Sequence, residues 1–225
     1  MIYALADLHL DPLGNKSMDI FGEKWIGHRE KIIKNWNELV KDNDLVLLPG
    51  DISWGLKLEE ARTDLELIDS LKGHKIISKG NHDYWWSSLN KLRNLNLKTI
   101  DFLMNNSYIY NDVEIFGTRG WKPKDHAEFV KEDEKIFNRE ILRLKNSLDS
   151  AKTNYKKVVM LHYPPFNQDL TPNEFSKVLT EYGVNICIYG HLHGPGHKLV
   201  VEGIVNDVLY KCVSGDYVDF RLQEI

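Results

Sequence analysis

Five short runs of mainly apolar residues recur along the chain, and each is followed at once by a turn that carries polar side chains. Continuous apolar runs of this length are typical of strands that are buried on both faces. We therefore predict buried strands at residues 2–6, 45–48, 74–78, 158–161 and 186–189.

Elsewhere, apolar residues recur at the i, i+3, i+4 spacing of helices that bury one face. One helix also carries a start signal, with Thr171 as the N-cap, Pro172 at the first helical position and Glu174 as the acid of a capping box. The stripes and caps predict helices over 28–41, 58–71, 88–94, 125–152 and 172–182.

Two alternating runs, 108–110 and 113–116, flank Asn111 and Asp112 and predict a hairpin with a two-residue turn. No repeat, low-complexity tract or Pro/Ser-rich linker divides the chain, so we expect a single domain over residues 1–225. The remaining apolar runs predict finishing strands at 198–201, 208–213 and 217–222.

The segment from Leu10 to Gly27 shows neither helical nor strand periodicity. A loop of this length inside a compact domain is usually functional or disordered. It carries Phe21 and Trp25, which indicate an ordered flank of a site or, equally well, rings that anchor the loop to the core.

The turns after the five predicted strands offer oxygen and nitrogen ligands. Alternate side chains of an extended segment point to the same side, so Asp7 and His9 are expected to face together. Taken singly, each turn has an ordinary interpretation, because an aspartate such as Asp51 commonly caps a helix or forms an Asx turn. The polar residues at the strand ends are Asp7, His9, Asp51, Asn81, His82, His162, His191 and His193.

The concentration of these residues favours a metal centre. Five of the nine histidines lie in these short turns, and isolated structural histidines would not collect there. Imidazole, carboxylate and amide ligands without thiolate suit Mn, Fe, Zn or Ni. The ligands are too many for one tetrahedral ion and suit two ions that share a carboxylate. We therefore predict two divalent transition-metal ions.

As a set, the turns resemble the five motifs of the calcineurin-like metallophosphoesterase superfamily. The motifs are Asp-x-His, Gly-Asp, Gly-Asn-His-Asp, a strand-end His and Gly-His-x-His, and they follow the family order from Asp7 to His193. The resemblance implies an α/β fold, a four-layer α-β-β-α sandwich of two mixed sheets with a dinuclear site at the sheet edges.

The resemblance also implies a role for each residue. A hydroxide shared by the two ions would attack phosphorus in line, and His82 would protonate the departing alkoxide while Asp83 orients that histidine. Asp51 would bridge the ions. The implied terminal ligands are Asp7, His9 and His193 for one ion and Asn81, His162 and His191 for the other.

Departures from the family pattern bear on the substrate. The Gly-Asp motif continues with Ile52 and lacks the additional aspartate of many relatives, and no arginine follows Gly-Asn-His as in the protein Ser/Thr phosphatase branch. The missing aspartate leaves the subfamily open. The missing arginine argues against a phosphoprotein substrate. Arg119 is a candidate anion contact, because a planar guanidinium fits phosphate oxygens. Trp54 and Tyr84 are candidates for a substrate wall, although such rings also serve as packing plugs.

Composition limits the partners. The net charge of −4, from 29 Lys+Arg and 33 Asp+Glu, argues against a protein that wraps a long nucleic acid. Cys187 and Cys212 lie inside apolar runs and are expected to be buried, reduced thiols. The chain reaches Asp7 too soon for a signal peptide and has no run of membrane-spanning length, so we expect a cytoplasmic location and no membrane partner.

The predicted activity is hydrolysis of a small phosphorylated substrate. A phosphodiesterase acting on small nucleotides, or a nuclease, would use the same metals. A non-catalytic interaction scaffold of this fold would have lost the catalytic histidine or some ligands, whereas every motif position is filled here.

Overall fold

Two β-sheets lie face to face in the computed structural model, which describes residues 1–11, 14, 16 and 18–225. The first sheet contains β1 (Ile2–Ala4), β2 (Leu45–Pro49), β3 (His74–Ser78), β4 (Ile100–Phe102) and β11 (Gln223–Glu224). The second contains β5 (Tyr108–Tyr110), β6 (Val113–Thr118), β7 (Lys156–Leu161), β8 (Ile186–Tyr189), β9 (Gly203–Val205) and β10 (Val208–Cys212).

Helices cover the outer face of each sheet. They are formed where the sequence keeps one apolar stripe and leaves the other positions polar. The helices are α1 (His28–Leu39), α2 (Leu58–Ser70), α3 (Leu89–Arg93), α4 (Lys131–Asp149) and α5 (Glu174–Glu181), and 3₁₀ turns cover Met18–Phe21, Glu23–Trp25 and Gly194–Leu199.

Both sheets are mixed, as predicted. The first has the order β11-β1-β2-β3-β4, in which β1 to β4 run parallel and β11 is antiparallel to β1. The second has the order β5-β6-β7-β8-β10-β9, with parallel central strands and antiparallel strands at both edges.

Three hydrophobic cores separate the layers. Between the sheets, Leu47 and Met160 belong to one cluster of buried side chains from facing strands. Outside the first sheet, Trp36 of α1 and Leu65 of α2 pack in a second core. Outside the second sheet, Phe137 of α4 lies in a third core. The expected four layers, α-β-β-α, are therefore confirmed.

Strand register brings the polar turns to one edge. Pro49 at the end of β2 pairs with Ser78 at the end of β3, and Leu161 at the end of β7 pairs with Tyr189 at the end of β8. Because these neighbouring parallel strands end level, the turns that follow them meet at the carboxyl edge, where open α/β sheets place ligands.

The C-terminal strands were predicted less well. Residues 198–201 contribute to a 3₁₀ turn and its exit, and residues 217–222 form turns instead of a strand. The sequence analysis also missed β4 and β9, each of three residues, because such short edge elements have too few positions to show an alternating pattern.

The predicted N-cap of α5 was wrong by two residues. Asn173 is the N-cap, and its side-chain oxygen accepts a hydrogen bond from the backbone N–H of Phe175 at 2.9 Å. The helix therefore begins at Glu174, and Pro172 precedes the cap. Asparagine is as good a cap as threonine, so the sequence offered two starts and the structure uses the second.

The loop after β1 divides into an inward and an outward part. Trp25 is 2% exposed and packs edge-on against His9, whereas Phe21 is 59% exposed. Only Trp25 thus behaves as an ordered flank. Residues 12, 13, 15 and 17 of the predicted loop lie outside the described residues.

Cys187 and Cys212 are both buried and unbridged, as predicted. None of the described helices combines the length and the hydropathy that crossing a bilayer requires.

Candidate metal centre

The turns that carry the candidate ligands have an unusual backbone. Asp7, His9, Asp51 and His191 have φ values of 59°, 42°, 54° and 74°, in the left-handed region that L-residues seldom adopt. Asp7 and His9 are therefore not in the extended segment that the sequence analysis assumed, although their side chains do come together. Such strain persists where the surrounding structure enforces it, typically at functional sites.

Two glycines make room for carboxylates. A Cβ atom at Gly80 would overlap Oδ1 of Asp51, and a Cβ atom at Gly190 would lie 2.6 Å from Oδ2 of Asp7. Neither glycine has a positive φ. Gly80 and Gly190 are therefore required by the close approach of the aspartates and not by the turn conformation, whereas Gly50 of the Gly-Asp motif has a φ of 88°.

The first half of the site consists of Asp7, His9 and His193. One ligand atom from each lies within 4.8 Å of the others, and Nε2 of His193 is 3.3 Å from Oδ1 of Asp7. Both of these atoms are buried and have no hydrogen-bond partner among the described residues. Buried polar atoms without partners are costly, and a cation between them would satisfy both. This half fits a divalent ion.

The second half consists of Asn81, His162 and His191. Oδ1 of Asn81 lies 2.7 Å from Nε2 of His162 and 2.9 Å from Nδ1 of His191, and the two ring nitrogens are 3.3 Å apart. One amide oxygen and two imidazole nitrogens thus point at a common spot. Neutral nitrogen and oxygen donors of this kind suit a first-row transition metal.

Asp51 lies between the two halves. Its Oδ2 is 3.3 Å from Nε2 of His162 and 3.7 Å from Nε2 of His9. Burial would raise the pKa of Asp51, but His162 outweighs burial and holds that pKa well below its usual range. The carboxylate is therefore ionised and adjacent to a ligand atom from each half.

Fixed partners orient the histidines from behind. Nδ1 of His162 lies 3.0 Å from the carbonyl oxygen of Pro49. Nδ1 of His193 lies 2.7 Å from Oδ1 of Asp216, and Oδ2 of that carboxylate accepts the backbone N–H of Gly194. Such partners fix the ring and the tautomer, leaving Nε2 to face the site.

The sequence analysis missed Asp216. It follows Gly215 directly after the predicted strand 208–213, which is the same strand–Gly–Asp pattern that singled out Asp51. That signal was available in the sequence. The pattern does not, however, distinguish a carboxylate that would bind a metal from one that hydrogen-bonds to the outer ring nitrogen of a candidate histidine ligand.

The histidines of the site have divergent pKa values. Burial disfavours the charged ring and lowers the pKa of His9 to about 4 and that of His191 to about 3. For His193, burial acts in the same direction, but Asp7 and Asp216 outweigh it and raise the pKa to about 10. His193 is therefore protonated at neutral pH in the absence of a metal, whereas His9 and His191 are neutral.

His82 lies at the mouth of the site. Its backbone N–H donates to Oδ1 of Asp51 at 2.8 Å, and its ring lies 4.7 Å from the ring of Trp54. Nδ1 of His82 is buried without a hydrogen-bond partner among the described residues. Burial lowers the pKa of this half-buried ring. The side chain is close to both halves and is not needed by either.

Asp83 is placed differently from the expectation. Its carboxylate accepts the backbone N–H groups of Asp51, Ile52 and Gly80 at 2.7–2.9 Å and the indole N–H of Trp85 at 3.0 Å. Among the described residues, no hydrogen bond joins it to the ring of His82. Asp83 thus ties together the two turns that carry Asp51 and His82. Burial and the charge of Asp51 raise its pKa to about 6.

The three candidate substrate contacts surround the site unevenly. Trp54 stacks on His9 with ring centroids 4.9 Å apart, and Tyr84 is 60% exposed beside His82. The guanidinium of Arg119 lies over the ring of Trp121 at 4.3 Å instead of pointing to the ligand cluster. Two aromatic rings are therefore available at the mouth, and the arginine lies to one side.

The sandwich fold and the clustered candidate ligands define a class of α/β protein that is fitted to hold metal ions, and comparison with known proteins gives the family. The model of the family described as calcineurin-like phosphoesterase matches residues 1–195. The chain belongs to the calcineurin-like phosphoesterase family.

A curated relative and two solved structures are similar over different extents. An uncharacterized protein, MJ1445, of Methanocaldococcus jannaschii is 40% identical over 52 residues, which cover 23% of this chain and 28% of that protein. The protein of unknown function AQ665 from Aquifex aeolicus has a TM-score of 0.53 at 16% identity, over 99% of this chain and 94% of that one. The phosphopantetheinyl hydrolase PptH from Mycobacterium tuberculosis has a TM-score of 0.60 at 14% identity, over 95% of this chain and 88% of that one. These structures show a shared fold.

Proposed function

We propose that the protein hydrolyses a small phosphate ester at a centre of two divalent transition-metal ions. One ion would be held by Asp7, His9 and His193. The other would be held by Asn81, His162 and His191. Asp51 would contact both. The observation that carries this proposal is the approach of one oxygen, Oδ2 of Asp51, to histidines of both halves, at 3.7 and 3.3 Å.

The metals and the protein would divide the chemistry. Two divalent ions, when bound, make a water molecule acidic near neutral pH and neutralise phosphoryl oxygens. His82 would donate a proton to the leaving alkoxide, because it lies at the mouth of the site and its Nδ1 has no described partner. Burial lowers the pKa of His82, which makes its protonated ring a stronger acid and also reduces the fraction of the ring that is protonated at neutral pH. Asp83 would keep the turn of His82 fixed against that of Asp51.

The surroundings favour a small substrate. Trp54 and Tyr84 would form an aromatic wall beside the departing group, and Arg119 would contact an anion at the side. A net charge of −4 disfavours a long nucleic acid but not a small nucleotide. Because one structural neighbour is a phosphopantetheinyl hydrolase, a phosphopantetheinyl ester belongs among the compounds to be assayed.

Metal reconstitution tests the centre directly. Metal-stripped protein would be refilled separately with Mn, Fe, Zn or Ni, and bound metal would be counted by elemental analysis. We expect two equivalents per chain and turnover of p-nitrophenyl phosphate with at least one metal. Bis(p-nitrophenyl) phosphate in the same panel separates monoesterase from diesterase activity. Uptake of one equivalent or none by fully active protein would contradict the proposal.

The His82→Ala variant tests the proton donor. We expect it to retain both ions and to lose about 10²–10⁴-fold in turnover of an alkyl phosphate, with a much smaller loss on p-nitrophenyl phosphate. A good leaving group needs little protonation, which is why the two substrates should respond differently. His74→Ala is the control, since that histidine pairs with Asp101 away from the site. Undiminished alkyl phosphate turnover would show that another group is the acid.

A further inference from the structure

A cavity of about 200 Å³ lies beside the second half of the site and is lined by three basic side chains, Lys79, Arg119 and Arg143. We call it the basic pocket. Asn105 and Thr118 add polar atoms to its lining. No step of the proposed hydrolysis uses this cavity as a whole, since only Arg119 was considered as a substrate contact.

The basic pocket holds more positive than negative charge. Its one acidic lining residue is Glu140, which is fully buried and accepts from Thr118 at 2.6 Å and from Arg143 at 2.8 Å. Arg119 approaches the same carboxylate at 3.5 Å. Two of the three basic side chains thus approach the single carboxylate, and the lining carries two more positive than negative charges.

Two of the basic groups have unused hydrogen-bonding capacity. Nε of Arg119 is buried and has no hydrogen-bond partner among the described residues. Lys79 is half-buried in the same lining, and its ammonium makes no hydrogen bond or ion pair within the described part of the chain. A cluster that served only to join α4 to the sheet would be expected to pair its cations, because like charges held together repel. The unpaired donors point to an anion as the missing partner.

The basic pocket is connected to the metal centre through the backbone. Lys79 precedes Asn81 by two residues, and the carbonyl oxygen of Arg119 accepts the backbone N–H groups of His162 and Tyr163 at 3.0 and 2.9 Å. An anion held in the pocket would therefore lie next to the turns that carry two ligands of the second half.

We infer that the basic pocket binds a phosphate group, either the second phosphate of the substrate or a free phosphate ion. The first source rests on the proposed function and narrows it to esters that carry another anionic group. The second source does not depend on it. Phosphate fits the donors because a guanidinium offers it paired N–H groups and an ammonium adds a point charge.

Calorimetry with inorganic phosphate tests the binding on the metal-loaded full chain. We expect two phosphate equivalents, one at the metals and one in the pocket. Lys79→Met and Arg143→Gln should each weaken the second equivalent about tenfold or more. The matched controls are Lys91→Met, an exposed lysine, and Arg139→Gln, which lies 3.6 Å from the same Glu140 but does not line the cavity. Neither control should change phosphate binding.

A pair of esters distinguishes the two sources. The ratio of kcat/KM for butane-1,4-diyl bisphosphate to that for butyl phosphate would be measured in the same variants. A substrate site predicts that Arg143→Gln lowers this ratio about tenfold, whereas a free-phosphate site leaves the ratio unchanged although the same variant weakens the second phosphate equivalent. If phosphate binding and the ratio are both the same as in the controls, the inference is wrong. If neither ester is hydrolysed by any metal form, the proposed function fails instead, and the calorimetry still decides the pocket.

Discussion

The two halves of the metal centre are built from different electrostatics. In the first half, Asp7 is itself a candidate ligand, and Oδ1 of Asp216 lies 2.7 Å from Nδ1 of His193. In the second half, the three candidate ligands include no carboxylate, and the partner behind His162 is the carbonyl oxygen of Pro49. Apart from the shared Asp51, all the negative charge thus belongs to the first half.

This difference separates two ways of holding a cation. The first half attracts an ion by charge and carries a proton on His193 when the metal is absent. In the second half, three side-chain donors already point at one spot, and although burial acts to lower the pKa of His162 among them, Asp51 outweighs burial and raises that pKa. We therefore expect both halves to depend on pH, the first half also on its outer carboxylate, and the second half also on Asp51.

Asp51→Asn is expected to have the largest effect, because it removes the one charge that both halves share. The metal content should fall below two equivalents, and kcat/KM should fall by more than the roughly 100-fold that loss of an outer partner costs. Metal analysis and steady-state kinetics would measure both. Asp64→Asn is the control, since that buried aspartate bonds to Ser53 and belongs to neither half. A variant that keeps both ions tightly would contradict the bridging position of Asp51.

The fold was predictable because its strands and helices follow from local patterns. The five buried strands and the stripes of α1, α2 and α4 appear within windows of a few residues. The predictions failed where the sequence carries no clear local pattern. Strands β4 and β9 are too short to show one, and residues 217–222 form turns although their composition resembles that of a strand.

The sequence could indicate which candidate residues come together, but not their geometry. Asp7 and His9 come together through left-handed turns, not through the extended alternation that the motif suggested. Asp83 bonds to backbone N–H groups of two turns, which depends on how distant loops meet. Asp216 required knowing that the turn after β10 lies behind His193. These facts depend on tertiary contacts, which spacing along one chain does not encode.

Asp216→Asn is expected to have an intermediate effect that is confined to the first half. Loss of the outer carboxylate should weaken binding of one ion by about 10–100-fold and leave the other unchanged. Competition with a chelator, titrated one equivalent at a time, would measure this. Asp101→Asn is a matched control, because Asp101 also bonds to a histidine, His74, but outside the site. Equal weakening of both ions would contradict the division into two halves.

The smallest expected effect is on the protons released when metal binds. Below a pH of about 10, His193 of the metal-free protein is protonated, and an ion must displace that proton to use Nε2. Affinity of the first half should therefore rise with pH up to about 10, by about tenfold per unit. His9, with a pKa of about 4, releases no proton at pH 8.

Because Asp216 helps to raise the pKa of His193, Asp216→Asn should release up to about one proton fewer at pH 8. Calorimetry in two buffers of different ionisation enthalpy counts these protons, and equal counts for the two proteins would show that Asp216 orients His193 without setting its charge.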